Sequence, residues 1–180
     1  MNKNTIGNLL AYISSVVSDV NLRKLIKLVY LIDERSVATR GIAVTWMDYY
    51  VWKKGPVSPY IYDVKNQGGA FAGYISTAIN EEGKIIVSPL VSKQDSALLF
   101  STKELLLIDS ILNEYGRMSA DELTEVTHRV GGLWDKACKL HHLDFSKQQK
   151  TNIKLDLCDL VAEDEEKKGI YEDAYEIALI

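Results

Sequence analysis

A chain of 180 residues, 47% hydrophobic and 26% charged, suits one globular domain with a real core and excludes both a disordered chain and two full domains. The net charge of −4 conceals an asymmetry: residues 1–67 carry nine Lys/Arg against five Asp/Glu, while residues 156–180 carry two against nine. No apolar run approaches the roughly 20 residues that span a bilayer, and two cysteines without framework spacing, Cys138 and Cys158, suit a soluble protein of the reducing cytoplasm.

In chain order, Ile6, Leu9, Leu10, Ile13, Val16 and Val17 recur at three- and four-residue spacing. This predicts a first helix, capped by Asn4 or Thr5. A second begins near Asn21, and its apolar residues from Leu22 to Ile32 cover more than one face, so it is expected at the centre of the fold. Gly41 ends the segment that follows. Thr45 to Lys53 is aromatic and β-branched, which predicts a strand. Lys54-Gly55-Pro56 then turns the chain, and Ser58 can cap a new helix with Pro59 at its first position. Tyr74 to Ile79 and Lys84 to Leu90, joined by Asn80-Glu81-Glu82-Gly83, read as a hairpin.

The remainder is helical. Ser101 with Glu104 and Ser119 with Glu122 form capping boxes, opening helices that run to Gly116 and to Thr127. Gly131-Gly132 breaks the second, Leu133-Trp134 begins another, and one or two further helices are expected beyond Asp156. The fold class is α+β: a mainly helical single domain with a small antiparallel β-sheet of about three strands, the segment near Trp46 joining the hairpin.

Chemistry finds little foothold. The chain has no G-x-S-x-G elbow, P-loop, H-E-x-x-H or dinucleotide fingerprint, and its scattered carboxylates read as solvated faces. Cys138, His141 and His142 are close together, but a tetrahedral metal needs a fourth ligand, and neither Cys158 nor His128 stands at a supporting spacing. The expectation is a protein that is no enzyme, with no cofactor and no metal. The helix pair 102–128 has helix-turn-helix length, which supplies an alternative: a DNA-binding transcriptional regulator. Yet Asp121, Glu122 and Glu125 would face phosphates, which argues against nucleic acid as a partner.

What stands out is Trp46 to Asp63, where Trp46, Tyr49, Tyr50, Trp52, Tyr60 and Tyr62 gather six of the sixteen aromatic residues. Strand alternation buries part of the set and turns part outward beside Lys53 and Lys54. Exposed rings next to cations are typical interface anchors, so Trp46, Tyr49, Lys53, Lys54 and Tyr60 are the candidate partner-binding residues.

Three ordered segments carry a family resemblance. Lys24-Leu25-Ile26-Lys27-Leu28-Val29-Tyr30-Leu31-Ile32-Asp33 resembles the K-L-x-K-L-x-Y-x-x-D helix of the SocA-like Panacea domain of bacterial and phage antitoxins. Trp52 with Gly55-Pro56-Val57 and Tyr62 is similar to the family's W-x-x-GPV segment. Tyr115-Gly116, Ser119, Glu122-Leu123, Thr127-His128 and Trp134 match its YG-x-x-S-x-x-EL-x-x-x-TH…W signature. Gly131-Gly132-Leu133 departs from the shorter charged step usual before that tryptophan. The resemblance implies an antitoxin, often borne on prophages and other mobile elements, that neutralises a cognate toxin by direct contact. Some relatives act as adaptors to an ATP-dependent protease. The blocks cover roughly residues 20 to 138, so residues 1–145 are expected to be the Panacea-like domain, with 146–180, which has no counterpart in the resemblance, an acidic helical extension packed on or flanking it. A homo-oligomer stays open, and a membrane partner is not expected.

Overall fold

The computed structural model describes residues 2–178, so the extension expected over 146–180 is described as far as Ala178. Helix α2, Leu22–Arg40, is the axis around which the other elements pack. Between Leu22 and Val37 it is buried on every side except at Arg23 and Arg35, as its two-faced apolar pattern requires. Asn21 caps it by accepting from the Lys24 amide, and Gly41 ends it in the left-handed conformation at φ +70. Helix α1, Lys3–Val16, buries Ile6, Leu9, Leu10 and Ile13 completely. Its cap is Asn2 rather than Asn4 or Thr5, since the Asn2 side chain accepts from the amides of both.

Strand β1, Tyr49–Trp52, turns through Lys53-Lys54 into β2, Gly55–Val57, and the short helix α3, Pro59–Tyr62, follows. The turn therefore lies one residue earlier than expected, and Gly55 and Pro56 belong to the strand that leaves it. Strands β3, Ile75–Ile79, and β4, Ile85–Pro89, form the expected hairpin, and helices α4, Lys93–Ala97, and α5, Thr102–Tyr115, come next. Helix α6, Ala120–Thr127, precedes α7, Leu133–Leu140, and both capping boxes are present as expected. Strand β5, Lys154–Leu155, a 3-10 turn at Leu157–Leu160 and helix α8, Glu165–Ala178, complete the order.

The mainly helical α+β class holds, but the strands divide into two sheets. The hairpin β3–β4 stands alone, tied to the α1–α2 junction by the Val87 amide donating to Val20 at 2.9 Å. The other sheet runs β2-β1-β5, all antiparallel, with Tyr49 opposite Leu155 and Trp52 opposite Gly55. Residues before β5 extend this cover of β1: Gln149 accepts from the Lys53 amide and Ile153 from the Val51 amide, both at 2.9 Å.

Trp46 lies outside the strand expected over Thr45–Lys53. Its φ of +53 breaks the extended run, and its ring packs on Tyr171 and Tyr175 of α8, at 5.2 and 5.8 Å between centroids. The backbone carbonyl of Lys167 and the side chain of Ile170 lie over Gly41. The acidic end thus folds back onto the body through rings and a glycine surface. Among the described residues, no helix is long and apolar enough to cross a membrane.

Candidate partner-binding face

Two polar knots hold the face that carries β1 and β2. In the first, Asp33 of α2 is fully buried and accepts from the Val44 amide at 2.8 Å, the Thr45 amide at 2.9 Å, the Thr45 hydroxyl and the Tyr49 hydroxyl at 2.7 Å. Burial pushes its carboxyl above the usual carboxylate range, while these hydrogen bonds pull the other way. One turn earlier on α2, Tyr30 meets the Tyr49 ring edge-on at 5.2 Å and donates to Glu34 at 2.7 Å. Glu34 in turn pairs with Arg129 at 2.9 Å.

The second knot surrounds Gly55, whose φ is +101. A β-carbon there would lie 2.2 Å from Lys27 Nζ, 2.8 Å from Thr127 Oγ1 and 3.2 Å from His128 Nε2. Lys27 is 3% exposed, and its ammonium donates to the Pro56 carbonyl at 3.4 Å. Thr127 donates its hydroxyl to Thr124 at 3.0 Å. The His128 ring stacks on Trp134 at 3.6 Å, and the Trp134 indole donates to the Trp52 carbonyl at 2.9 Å. At the end of α6 it is the His128 main-chain amide that bonds, while its buried Nε2 has no hydrogen-bond partner among the described residues.

Desolvation pushes the Lys27 ammonium down to about 7, with Arg23 adding repulsion, and His128 down to about 4, with Lys27 and Lys54 adding theirs. Both are bases with depressed folded values, so the unfolded chain binds more protons across each window and stability rises with pH there. Lys27 acts from about pH 7 up to its ordinary value of 10.5, and His128 from about 4 to 6.5. Denaturant titrations from pH 7 to 9 should show the wild type gaining up to about 1.4 kcal/mol per pH unit. Lys27→Met should flatten that slope; an unchanged slope would assign the pH dependence elsewhere.

Outside these knots lies a cleft of about 230 Å³. Its apolar wall is Ile26, Trp52, Val57 and Tyr62, the Trp52 and Tyr62 rings meeting edge to face at 5.0 Å. Its charged lining is Arg23, Lys27, Lys53, Lys54 and Lys150, and no lining residue is acidic. Lys150 Nζ sits 4.3 Å from the Trp52 ring and 4.4 Å from the Tyr62 ring, and Lys65 Nζ lies 4.2 Å from the Tyr62 ring as well. Arg23 is shared with Asp121, at 2.5 Å.

The five candidate anchors separate here. Lys53 and Lys54 form the turn at the cleft, and Tyr60 on α3 is half exposed. Tyr49 is a correction: at 1% exposure, with its hydroxyl given to Asp33, it has no surface for a partner. Trp46 is half-buried: Tyr171 and Tyr175 of α8 pack on its ring, and it lines a separate cavity with Lys154 and Leu157, away from the Lys53-Lys54 turn. Sequence patterning missed Ile26 and Lys150, and offered Arg23 only among basic residues that could contact phosphates. Their approach to Trp52 depends on contacts between residues far apart in the chain, and only the Lys53-Lys54 pair gave a local signal. Cys138, His141 and His142 do not converge, and among the described residues no group of three His, Cys, Asp or Glu could hold a metal ion. Burial pushes the Cys138 thiol up to about 11, away from thiolate chemistry.

The motif segments on α2, at Trp52–Tyr62 and from α6 to Trp134 thus meet at one hairpin. Over residues 25–135 the chain matches the family model described as Antitoxin SocA-like, Panacea domain. It belongs to the SocA-like Panacea family. It is 32% identical over 113 residues to a protein named Antitoxin SocA from Caulobacter vibrioides (strain NA1000 / CB15N), a match covering 61% of this chain and 55% of that one. The chain therefore spans about half the length of the curated relative it matches. No solved structure matches it. The Panacea motif residues Lys27, Gly55, Thr127, His128 and Trp134 build the second knot, and Tyr30 and Asp33 the first. Lys24, 9% exposed, stands one turn before Lys27; Pro56 lies in β2 opposite Val51, and Tyr62 lines the cleft.

Proposed function

We propose that this chain is an antitoxin that neutralises a cognate protein toxin by direct contact, through the face presented by the Lys53-Lys54 turn. The observation that carries the reading is the convergence of the Panacea motif residues behind that turn, which holds two exposed or half-exposed cations and an aromatic cleft in fixed relation. Preorganised turns of this kind lose little entropy on binding. In this reading residues 1–145 form the antitoxin domain in the cytoplasm, and 146–180 is an extension that steadies it through Trp46 and the cover over β1. If the bound toxin is handed on to an ATP-dependent protease, its half-life in cells falls when this chain is co-expressed; an unchanged half-life restricts the role to blocking.

Co-expression with the product of the neighbouring gene tests the proposal. That product should arrest growth alone and be harmless together with this chain. Lys54→Ala combined with Tyr60→Ala should weaken the complex by about 1–2 kcal/mol while leaving the unfolding transition in place. Unaltered affinity would move the contact face elsewhere. The DNA-binding alternative meets an electrostatic obstacle: Asp121, Glu122 and Glu125 are all exposed on α6, where they repel phosphates.

A further inference from the structure

Every charged side chain lining the cleft beside β1 is a cation, and every other wall but Gln149 is apolar or aromatic. Among these cations Lys150 is held over Trp52 and Tyr62 by cation–π attraction, and Lys65, outside the lining, adds positive charge over Tyr62. An apolar floor within a one-signed rim selects a ligand that buries a large apolar group and surrounds it with negative charge.

Its size narrows the choice. At about 230 Å³ the cleft falls below the roughly 300–1,000 Å³ of ordinary small-molecule sites, and suits one inserted side chain. The acidic end of this chain is not the occupant, because α8 is committed to Trp46 and Gly41. A nucleic acid fits poorly, since its backbone would run beside the exposed carboxylates of α6, one of which already holds Arg23.

We infer that the cleft captures an acidic segment of a protein partner, one large apolar or aromatic side chain entering between Ile26, Trp52, Val57 and Tyr62 while flanking carboxylates meet Lys53, Lys54 and Lys150. The inference rests on the antitoxin reading in taking that partner to be the toxin. Insertion leaves Lys27 in place against the Pro56 carbonyl and replaces solvent around the rim ammoniums with carboxylates.

The test uses the full chain and short labelled peptides, read by fluorescence anisotropy: tryptophan flanked by glutamates, the same with alanine for tryptophan, the same with lysines for glutamates, and oligo-deoxythymidylate. The glutamate–tryptophan peptide should bind best and weaken as salt is raised. Losing the tryptophan, or introducing Lys53→Glu with Lys54→Glu, should each weaken it about tenfold or more. Lys150→Glu provides a second variant away from the turn, with the same expected direction. Equal binding of the lysine peptide, unchanged binding in the charge-reversed variants, or preference for the oligonucleotide would overturn the inference. A toxin complex that survives Lys53→Glu/Lys54→Glu also overturns it, yet leaves direct neutralisation standing.

Discussion

Asp33→Ala should destabilise the protein by about 4 kcal/mol or more, because it leaves buried donors from three separate positions without an acceptor. The donors are the amides of Val44 and Thr45 and the hydroxyls of Thr45 and Tyr49, all converging on one fully buried carboxylate. For a domain of this size that loss lowers the melting temperature by about 10 °C. Asp33→Asn should be milder. Its carbonyl still accepts from both amides, and its NH2 can donate to hydroxyls that rotate to accept. Chemical denaturation of the three proteins at neutral pH separates the cases. A loss below about 1 kcal/mol for alanine would show that water or rearrangement satisfies those donors, and that Asp33 does not pin the loop to α2.

Gly55→Ala is expected to cost about 2–4 kcal/mol, for two separable reasons. The backbone at φ +101 strains any residue with a β-carbon, by about 1–3 kcal/mol. The new methyl also falls 2.2 Å from Lys27 Nζ, which must leave its place against the Pro56 carbonyl. Lys27→Ala opens part of that space, so adding Gly55→Ala to it should cost the backbone part plus the remaining crowding against Thr127 Oγ1 at 2.8 Å. The difference between the two backgrounds is the steric contribution of Lys27. Equal costs would mean that Lys27 moves aside freely. Because Gly55 directly follows the Lys53-Lys54 turn, Gly55→Ala should also weaken partner binding by more than its effect on folding explains.

Much of this architecture was legible because it is local. Asn21, Ser101 with Glu104, and Ser119 with Glu122 each satisfy amides within three or four residues, so the helix starts follow from short-range hydrogen bonding. Alternation along β1 is legible as a period but not in its phase: Tyr49, expected as an outward anchor, faces inward with Val51, while Tyr50 and Trp52 are less buried. It misleads at Trp46, where a left-handed residue interrupts the register and the ring's partners lie on α8. Strand β5 is only Lys154–Leu155, too short to leave a period, and it exists because β1 offers it an edge. The division into two sheets has the same origin: the hairpin's outer attachment is to Val20 and Asn21, a choice set by packing rather than strand propensity.

The candidate face divides in the same way. Lys53 and Lys54 announce themselves as adjacent cations between aromatic residues, whereas Lys150 reaches Trp52 only because the segment before β5 lies along β1. The family motifs likewise read as separated blocks in the chain. Their physical unity appears only when Lys27, Thr127 and His128 are found around Gly55, where a side chain will not fit.

Hydrogen exchange on the purified chain, alone and with the product of the neighbouring gene, tests the central claim most directly. Direct neutralisation through this face predicts a stable complex in which amides from Trp52 to Gly55 and around Lys150 gain protection, while those of α8 are unchanged. A complex that protects α8 or α6 instead, or no complex between two folded proteins, would contradict it.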